Sequence, residues 1–359
     1  MFAVIGGSVL TMREEPGLRD ARTENRRSVI YTPFLTRLLI LVPLAILVAP
    51  HLLCAQPVTR TARVGVLASS TEENFAPSVK VFREALQTAG WVEGQNLTLN
   101  VRYAGERYAR LPELAAELVR LKVDVIASLG TPATEAAKRA TTTIPIVMES
   151  LADAVSTGLV SNLARPGGNV TGLSGFAPQL SGKRLELIRE IRPSAVRIAV
   201  LANLANPATA PVIRATQSAA KQMRMQLSIV DVRQPGEVDA AFDTMTRARN
   251  DAFVLAADPL LFSLHRRIIE LAARHRLPAV YETRLFPEAG GLLSYGPVTH
   301  ERFARMALYV DRILRGAQPG DLPVEQPSTF ELVLNLKTAK SLGLDIPRSL
   351  RLRADHVIE

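Results

Sequence analysis

A single cysteine, Cys54, occurs in the 359 residues, so neither an intramolecular disulfide nor a cysteine-based metal site can form. A chain without cysteine beyond residue 54 suits an oxidising compartment. Aromatic residues are scarce at 5%. The five histidines, at 51, 265, 275, 300 and 356, lack metal-ligand spacing. Also missing are a Gly-x-Gly-x-x-Gly turn, a Walker loop and a Gly-x-Ser-x-Gly elbow. No local context marks a Ser–His–acid set. Catalytic residues, a cofactor and a metal are therefore not expected. Runs of like charge are absent too. The formal charge is +9, from 43 basic and 34 acidic residues spread along the chain. A nucleic-acid partner would call for a basic tail or stripe. The surplus reads as a solvated surface with mild attraction to anionic lipid headgroups.

What is present begins with length, which is comfortable for two α/β cores. Near the N-terminus, Arg26, Arg27 and Arg37 precede an apolar run from Leu38 to Leu53, broken only by His51. The run ends in Leu53-Cys54-Ala55-Gln56, so residues 1–55 read as a signal segment cleaved after Ala55. It is shorter than the ~20 residues of a membrane span and contains Pro43 and Pro50. A lipid anchor at Cys54 fits less well, because His51 and Leu53 stand where leucine and a small residue are expected. The expected location is the periplasm.

From Arg63 onward strands alternate with helices, the pattern of a doubly wound parallel sheet. Arg63–Ala68, Val123–Gly130 and Pro145–Glu149 read as buried strands, with an amphipathic helix at 75–89 and another from Pro132. The order then repeats. Arg197–Ala202, Asn250–Ala257 and Pro278–Glu282 match the three strands about 130 residues later, which sets Asp258-Pro259 against Thr131-Pro132 and Glu282 against Glu149. The period is too long for a solenoid. It predicts two doubly wound parallel-sheet α/β lobes. Glycine-rich exits at Gly167–Ser174 and Gly290–Gly296 are followed by a helix at 298–315 and a strand at Phe330–Leu336. They predict three crossings between the lobes, hence a hinge. The expected division is 61–172 with 290–322 for lobe 1 and 173–289 with 323–359 for lobe 2. Ligands of open parallel sheets sit at the carboxyl ends of the strands, which here face one cleft.

Candidate contacts follow from that placement. Ser69 and Ser70 each stand three residues before a glutamate, as in a capping box, and also offer hydroxyls to a ligand carboxylate. Thr131 reads as an N-cap with Pro132 in the first helical position, leaving a helix N-terminus open to an anion. Asp153, Asp258 and Glu282 are acids at strand ends, suited to an ammonium group, although Asp258 also reads as a helix cap. Asn203 and Asn206 follow a core strand. Tyr295 could wall off a ligand, whereas Tyr281 reads as sheet packing. Trp91 falls in the turn after the first helix, remote from the cleft, and reads as structural.

These residues are similar to those of a known family. Gly90-Trp-Val-Glu-Gly-Gln-Asn-Leu97, Gly130-Thr-Pro-Ala-Thr134, Thr143-Ile-Pro-Ile-Val147 and Asn162–Gly172 carry the likeness. So do Lys183-Arg-Leu-Glu-Leu187, Ala257-Asp-Pro259, Gly290–Gly296 and, most specifically, Phe330–Leu344. From about residue 62 onward the chain resembles the ABC-transporter substrate-binding proteins of the tryptophan/tyrosine type. The resemblance implies a type I periplasmic-binding-protein fold and a monomer without enzymatic activity. It implies closure over an amino acid or related small carboxylate, and delivery to a membrane permease. Carried to matching positions, it points to Ser69, Ser70, Thr131, Asp153, Asn206, Asp258, Glu282 and Tyr295 as ligand contacts. At Asp153-Ala154 the sequence departs from the Asp-Pro usual in the family, which is expected to loosen that turn. Two other readings lack support. A cytosolic ligand-sensing regulator needs a helix-turn-helix where residues 1–60 hold an apolar run. An α/β enzyme needs an acid cluster or a phosphate loop.

Overall fold

The buried aliphatic runs form strands because both faces of each sheet are covered by helices, as parallel sheets require. The computed structural model describes residues 61–359 apart from Glu106, Leu151, Phe176, Thr299 and His300. The expected signal segment lies outside the described residues. In the first lobe, β1 (Ala62–Ala68), β2 (Leu97–Tyr103), β3 (Val125–Leu129), β4 (Ile146–Glu149) and β5 (Val170–Leu173) form a wholly parallel sheet. Its order is β2-β1-β3-β4-β5. Helix α1 (Glu72–Thr88) packs on one face, and α2 (Leu111–Arg120) and α3 (Thr131–Ala140) on the other.

The second lobe repeats this plan. Strands β6 (Arg197–Ala202), β7 (Gln226–Asp231), β8 (Ala252–Leu255), β9 (Ala279–Tyr281) and β10 (Leu293–Pro297) take the same order, β7-β6-β8-β9-β10. The sheet continues with an antiparallel β11 (Phe330–Asn335) and a short β12 (His356–Ile358). Helices α4 (Ala177–Ile191) and α5 (Thr209–Gln222) cover one face. The other carries α6 (Val238–Arg247), α7 (Pro259–Ser263), α8 (His265–Arg274) and α9 (Leu285–Glu288). The repeat extends to side chains. The Arg63 N–H donates to Asp124 Oδ2 at 2.8 Å, and the Arg197 N–H donates to Asp251 Oδ2 at the same distance.

Three crossings join the lobes, at positions that correct the sequence expectation. The first falls between β5 and α4, since Leu173 and Ser174 still bond within lobe 1. The second comes after Pro297 rather than at residue 290, because β10 pairs with β9 and β11. The glycine pair at 290–291 that resembled an exit has a local cause. A methyl group on Gly291 would lie 2.7 Å from the Tyr281 ring and 2.9 Å from the Phe286 carbonyl. Helix α10 (Arg302–Leu314) then packs against α1 in lobe 1. The segment after it stays with lobe 1 through Glu325, whose N–H donates to Gly172 O, so the third crossing precedes β11. The last helices, α11 (Leu336–Ser341) and α12 (Arg348–Arg353), seal the core of lobe 2. Trp91 lies at the base of lobe 1, its Nε1 donating to Asp311 on α10 at 2.8 Å.

Among the described residues, those with positive φ other than glycine are Lys122, Arg224, Arg249 and Arg276, each just past a helix end. Left-handed backbone disfavours a Cβ, and glycine normally takes this position. A cation there recovers only a few tenths of a kcal/mol from the helix dipole. Arg276→Gly, at an exposed site with φ 50, should therefore raise stability by about 0.5–1 kcal/mol. A higher urea midpoint at unchanged slope checks this; a lower midpoint refutes it.

Candidate functional site

The carboxyl ends of both sheets enclose a cavity of about 560 Å³ between the lobes, within the range typical of small-ligand sites. Lobe 1 supplies Ser70, Glu73, Phe75, Thr131 and Phe303. Lobe 2 supplies Asn206, Asp258, Phe262, Arg266 and Thr283. Three half-buried phenyl rings, Phe75, Phe262 and Phe303, thus converge on a space with hydroxyl and amide groups. Pro77, inside α1, also lines it and removes the N–H that would otherwise bond the Glu73 carbonyl one turn back.

Four of the eight residues marked in the sequence border this cavity: Ser70, Thr131, Asn206 and Asp258. The caps differ from expectation. Thr71, not Ser69 or Ser70, caps α1, accepting from the Asn74 N–H at 3.4 Å. Gly130, not Thr131, holds the N-cap position of α3, at φ 94. A side chain at 130 would crowd two neighbours, since a methyl there lies 2.8 Å from Ser69 Oγ and 3.2 Å from Pro259 Cγ of the other lobe. Thr131 is freed from capping and its hydroxyl pairs with Ser150 Oγ at 2.7 Å. Ser70 is buried and accepts from Asn74 Nδ2 at 3.1 Å.

The other four do not line the cavity. Ser69 is fully buried, donating to Leu129 O at 2.9 Å and accepting from the Ala133 N–H, which fastens β3 to α3. Asp153 accepts from the Ser156 N–H at 2.7 Å and faces Gln179 and Gln326 beside the crossings, at 3.3 and 3.5 Å. The turn there is tied rather than loose. The Ala154 N–H donates to Ser174 Oγ at 2.9 Å, a bond proline cannot make. Tyr295 lies near Phe330, with ring centroids 6.4 Å apart. Glu282 is sequestered in an ion pair.

That pair has a counterpart. In lobe 2, Arg184 of α4 donates to Glu282 at 2.6 Å and to Tyr295 O at 3.0 Å. In lobe 1, Arg302 of α10 donates to Glu149 at 2.8 Å and to Ser150 O at 2.9 Å. Both helices have just crossed from the opposite lobe, and both arginines dock on a glutamate at the carboxyl end of the strand that pairs with the one leading into a crossing, Glu149 ending β4 and Glu282 just past β9. Burial lowers the pKa of Arg184 against the opposing pull of Glu282, and burial likewise raises that of Glu282. Phe303, next to Arg302, is thereby fixed in the cavity wall.

Asp258 is fully buried and richly bonded. Its Oδ1 accepts from the N–H groups of Leu260 and Leu261 at 2.9 and 3.1 Å, capping α7. Its Oδ2 accepts from Asn206 Nδ2 at 2.8 Å and from Tyr108 OH, which belongs to lobe 1, at 2.7 Å. Burial pushes the carboxyl above its ordinary value, against these hydrogen bonds. Burial, then the Asp258 charge, pushes the Tyr108 phenol well above its own.

Sequence reading missed Arg184, Arg302, Tyr108 and the three phenylalanines. Phe262 was accessible in principle, standing one helical turn beyond the Asp258 cap. The others depend on contacts across more than ninety residues or on surfaces that only folding brings together.

Two repeated α/β lobes with a lined cavity between their strand ends define a ligand-binding protein of the periplasmic-binding-protein type. The chain belongs to the ABC transporter substrate binding protein family, which matches residues 62–358. It is thus a solute-binding protein and not an enzyme. A "Tyrosine-binding protein" of Clostridioides difficile (strain R20291) is 27% identical over 296 residues, covering 82% of this chain and 83% of the relative. A conserved domain protein from Vibrio cholerae aligns with TM-score 0.78 at 28% identity, covering 83% of this chain and 100% of its own. An ABC domain in complex with L-Trp from Streptococcus pneumoniae aligns with TM-score 0.77 at 25%, with the same coverage.

Removing one partner of a buried ion pair strands the other charge, at about 3–5 kcal/mol. Arg302→Met should destabilise lobe 1 by that order, while Arg302→Met with Glu149→Gln should regain much of the loss. Urea denaturation followed by circular dichroism decides. Equal losses in single and double variants would refute the pair as the anchor.

Proposed function

We propose that this protein is the extracytoplasmic receptor of an ABC importer, closing its lobes as a monomer over a free amino acid with an aromatic side chain. The observation that carries the reading is the triplet Phe75, Phe262 and Phe303 in one interlobe cavity with polar groups at the strand ends. Flat rings suit an aromatic side chain, which gains from area and from edge or offset contacts. The N-terminus of α3, with Ser70 and Thr131 beside it, suits a carboxylate. Glu73 and Arg266 line the cavity from opposite lobes and are both exposed, giving a zwitterion one charge of each sign. Asp258 supports the site indirectly, by holding Asn206 in place. The L-Trp complex of the pneumococcal domain and the name of the clostridial relative agree with this class of ligand.

Export follows from the apolar segment before Ala55, and the permease receives the closed protein. Among the described residues no helix is long and apolar enough to cross a membrane. Protein recovered from the periplasmic fraction should begin near Gln56; an intact N-terminus in the cytosol would overturn export.

The ligand is tested by thermal shift with the twenty amino acids and small carboxylates. L-tryptophan or L-tyrosine should raise the melting temperature most, since a hundredfold excess over Kd stabilises by about 2.7 kcal/mol. Phe262→Ala should weaken binding about tenfold or more, beyond a modest drop in the unliganded melting point from the lost packing on Phe286, because the partly buried ring also faces the cavity. A preference for aliphatic or acidic ligands, or unchanged affinity in Phe262→Ala, would sink the aromatic reading.

A further inference from the structure

A hydrogen bond between protein groups crosses the cleft. Tyr108, in the turn between β2 and α2, reaches 150 residues along the chain to donate its phenolic proton to Asp258 at 2.7 Å. Beside it the lobes touch at Gly130 and Pro259, where even a methyl group would be 3.2 Å from the proline ring. Asp258 is held ready for this contact from within its own lobe, by Asn206, Asn203 and two helix N–H groups.

We propose that the Tyr108–Asp258 hydrogen bond is a latch, which populates the closed form before ligand arrives and slows ligand escape afterwards. The inference rests on the ligand-binding reading above only in its second half. A hydrogen bond to a carboxylate is among the stronger kinds, and this one is shielded from water. Both groups are hydrated when the lobes part, so the difference between the two states is the net value of one such bond. That amounts to about tenfold or more in the closed-to-open ratio. Apparent affinity and residence time then depend on a residue outside the cavity lining. Tyr108 is a positioning residue: it acts through Asp258 on the distance between the lobes.

Tyr108→Phe removes the proton donor and leaves the ring packed. Small-angle X-ray scattering of the unliganded protein reads the first half of the proposal. The variant should show a larger radius of gyration than the parent, with a melting temperature lower by no more than about 2–4 °C. Stopped-flow dissociation of L-tryptophan or L-tyrosine reads the second half: release should be about tenfold faster, with association unchanged or faster. A merely structural role for the phenol predicts a lower melting temperature at constant radius, and that result overturns the latch. Equal release rates overturn it as well. Should neither amino acid bind, the ligand reading fails, while the scattering comparison still decides whether the latch exists.

Discussion

Each lobe depends on one buried arginine that arrives from the other side of the hinge. A helix that has just crossed must be fixed against its new sheet, or the hinge motion would dissipate into the lobe itself. Arg184 on Glu282 and Arg302 on Glu149 do this with the same chemistry, a charge-assisted pair completed by carbonyls at the strand ends. Buried ion pairs contribute little net stability against an apolar substitute. Their value here is directional: a guanidinium held by one carboxylate and one carbonyl has few equivalent positions, even though Arg184 Nη2 lacks a partner. The helices are held in register as well as in place, and with them Phe303 in the cavity wall.

The same logic explains why so few of the strand-end polar residues are free for a ligand. Ser69 is consumed in tying β3 to α3, Asp258 in capping α7 and accepting from Asn206 and Tyr108, and Asp153 in closing its own turn. Polar groups at the cleft floor must be satisfied whether or not a ligand is present. What remains on the cavity wall is apolar surface with a few hydroxyls and amides and, at its edge, exposed charges such as Glu73 and Arg266.

The strands were legible because buried parallel strands are continuous aliphatic runs, and the repeat was legible because both lobes need those runs in the same order. Glu149 and Glu282 were located by that repeat as equivalent positions. Their partners were not, since an arginine in an amphipathic helix has the same local pattern whether it meets water or a buried carboxylate. The α3 cap slipped by one residue for a similar reason. Thr131 has the better intrinsic cap chemistry, but position 130 sits at φ 94, with Ser69 Oγ 2.8 Å and Pro259 Cγ 3.2 Å from where a Cβ would lie, which favours glycine there. Likewise Gly290-Gly291 looked like an exit from lobe 2, whereas Gly291 is set by the Tyr281 ring beneath it. The strand runs and their repeat were read correctly; the α1 cap and the close contacts between elements were not.

The distances also say where the molecule is able to yield. Inside the lobes the anchoring bonds are short, from 2.6 Å at Arg184–Glu282 to 2.8 Å at Arg302–Glu149. At the crossings the contacts of Asp153 with Gln179 and Gln326 are long, 3.3 and 3.5 Å, and come from flexible amide side chains. Hydrogen bonds weaken over that range, so these two contacts hold the crossings less firmly than the arginine pairs hold the lobes. Across the cleft the order of strengths reverses, with a short hydrogen bond between Tyr108 and Asp258 beside the close approach of Gly130 and Pro259. The three phenylalanines of the cavity wall stand on separate helices, Phe75 on α1, Phe262 on α7 and Phe303 on α10, and of these helices α10 is the one that an arginine anchors directly.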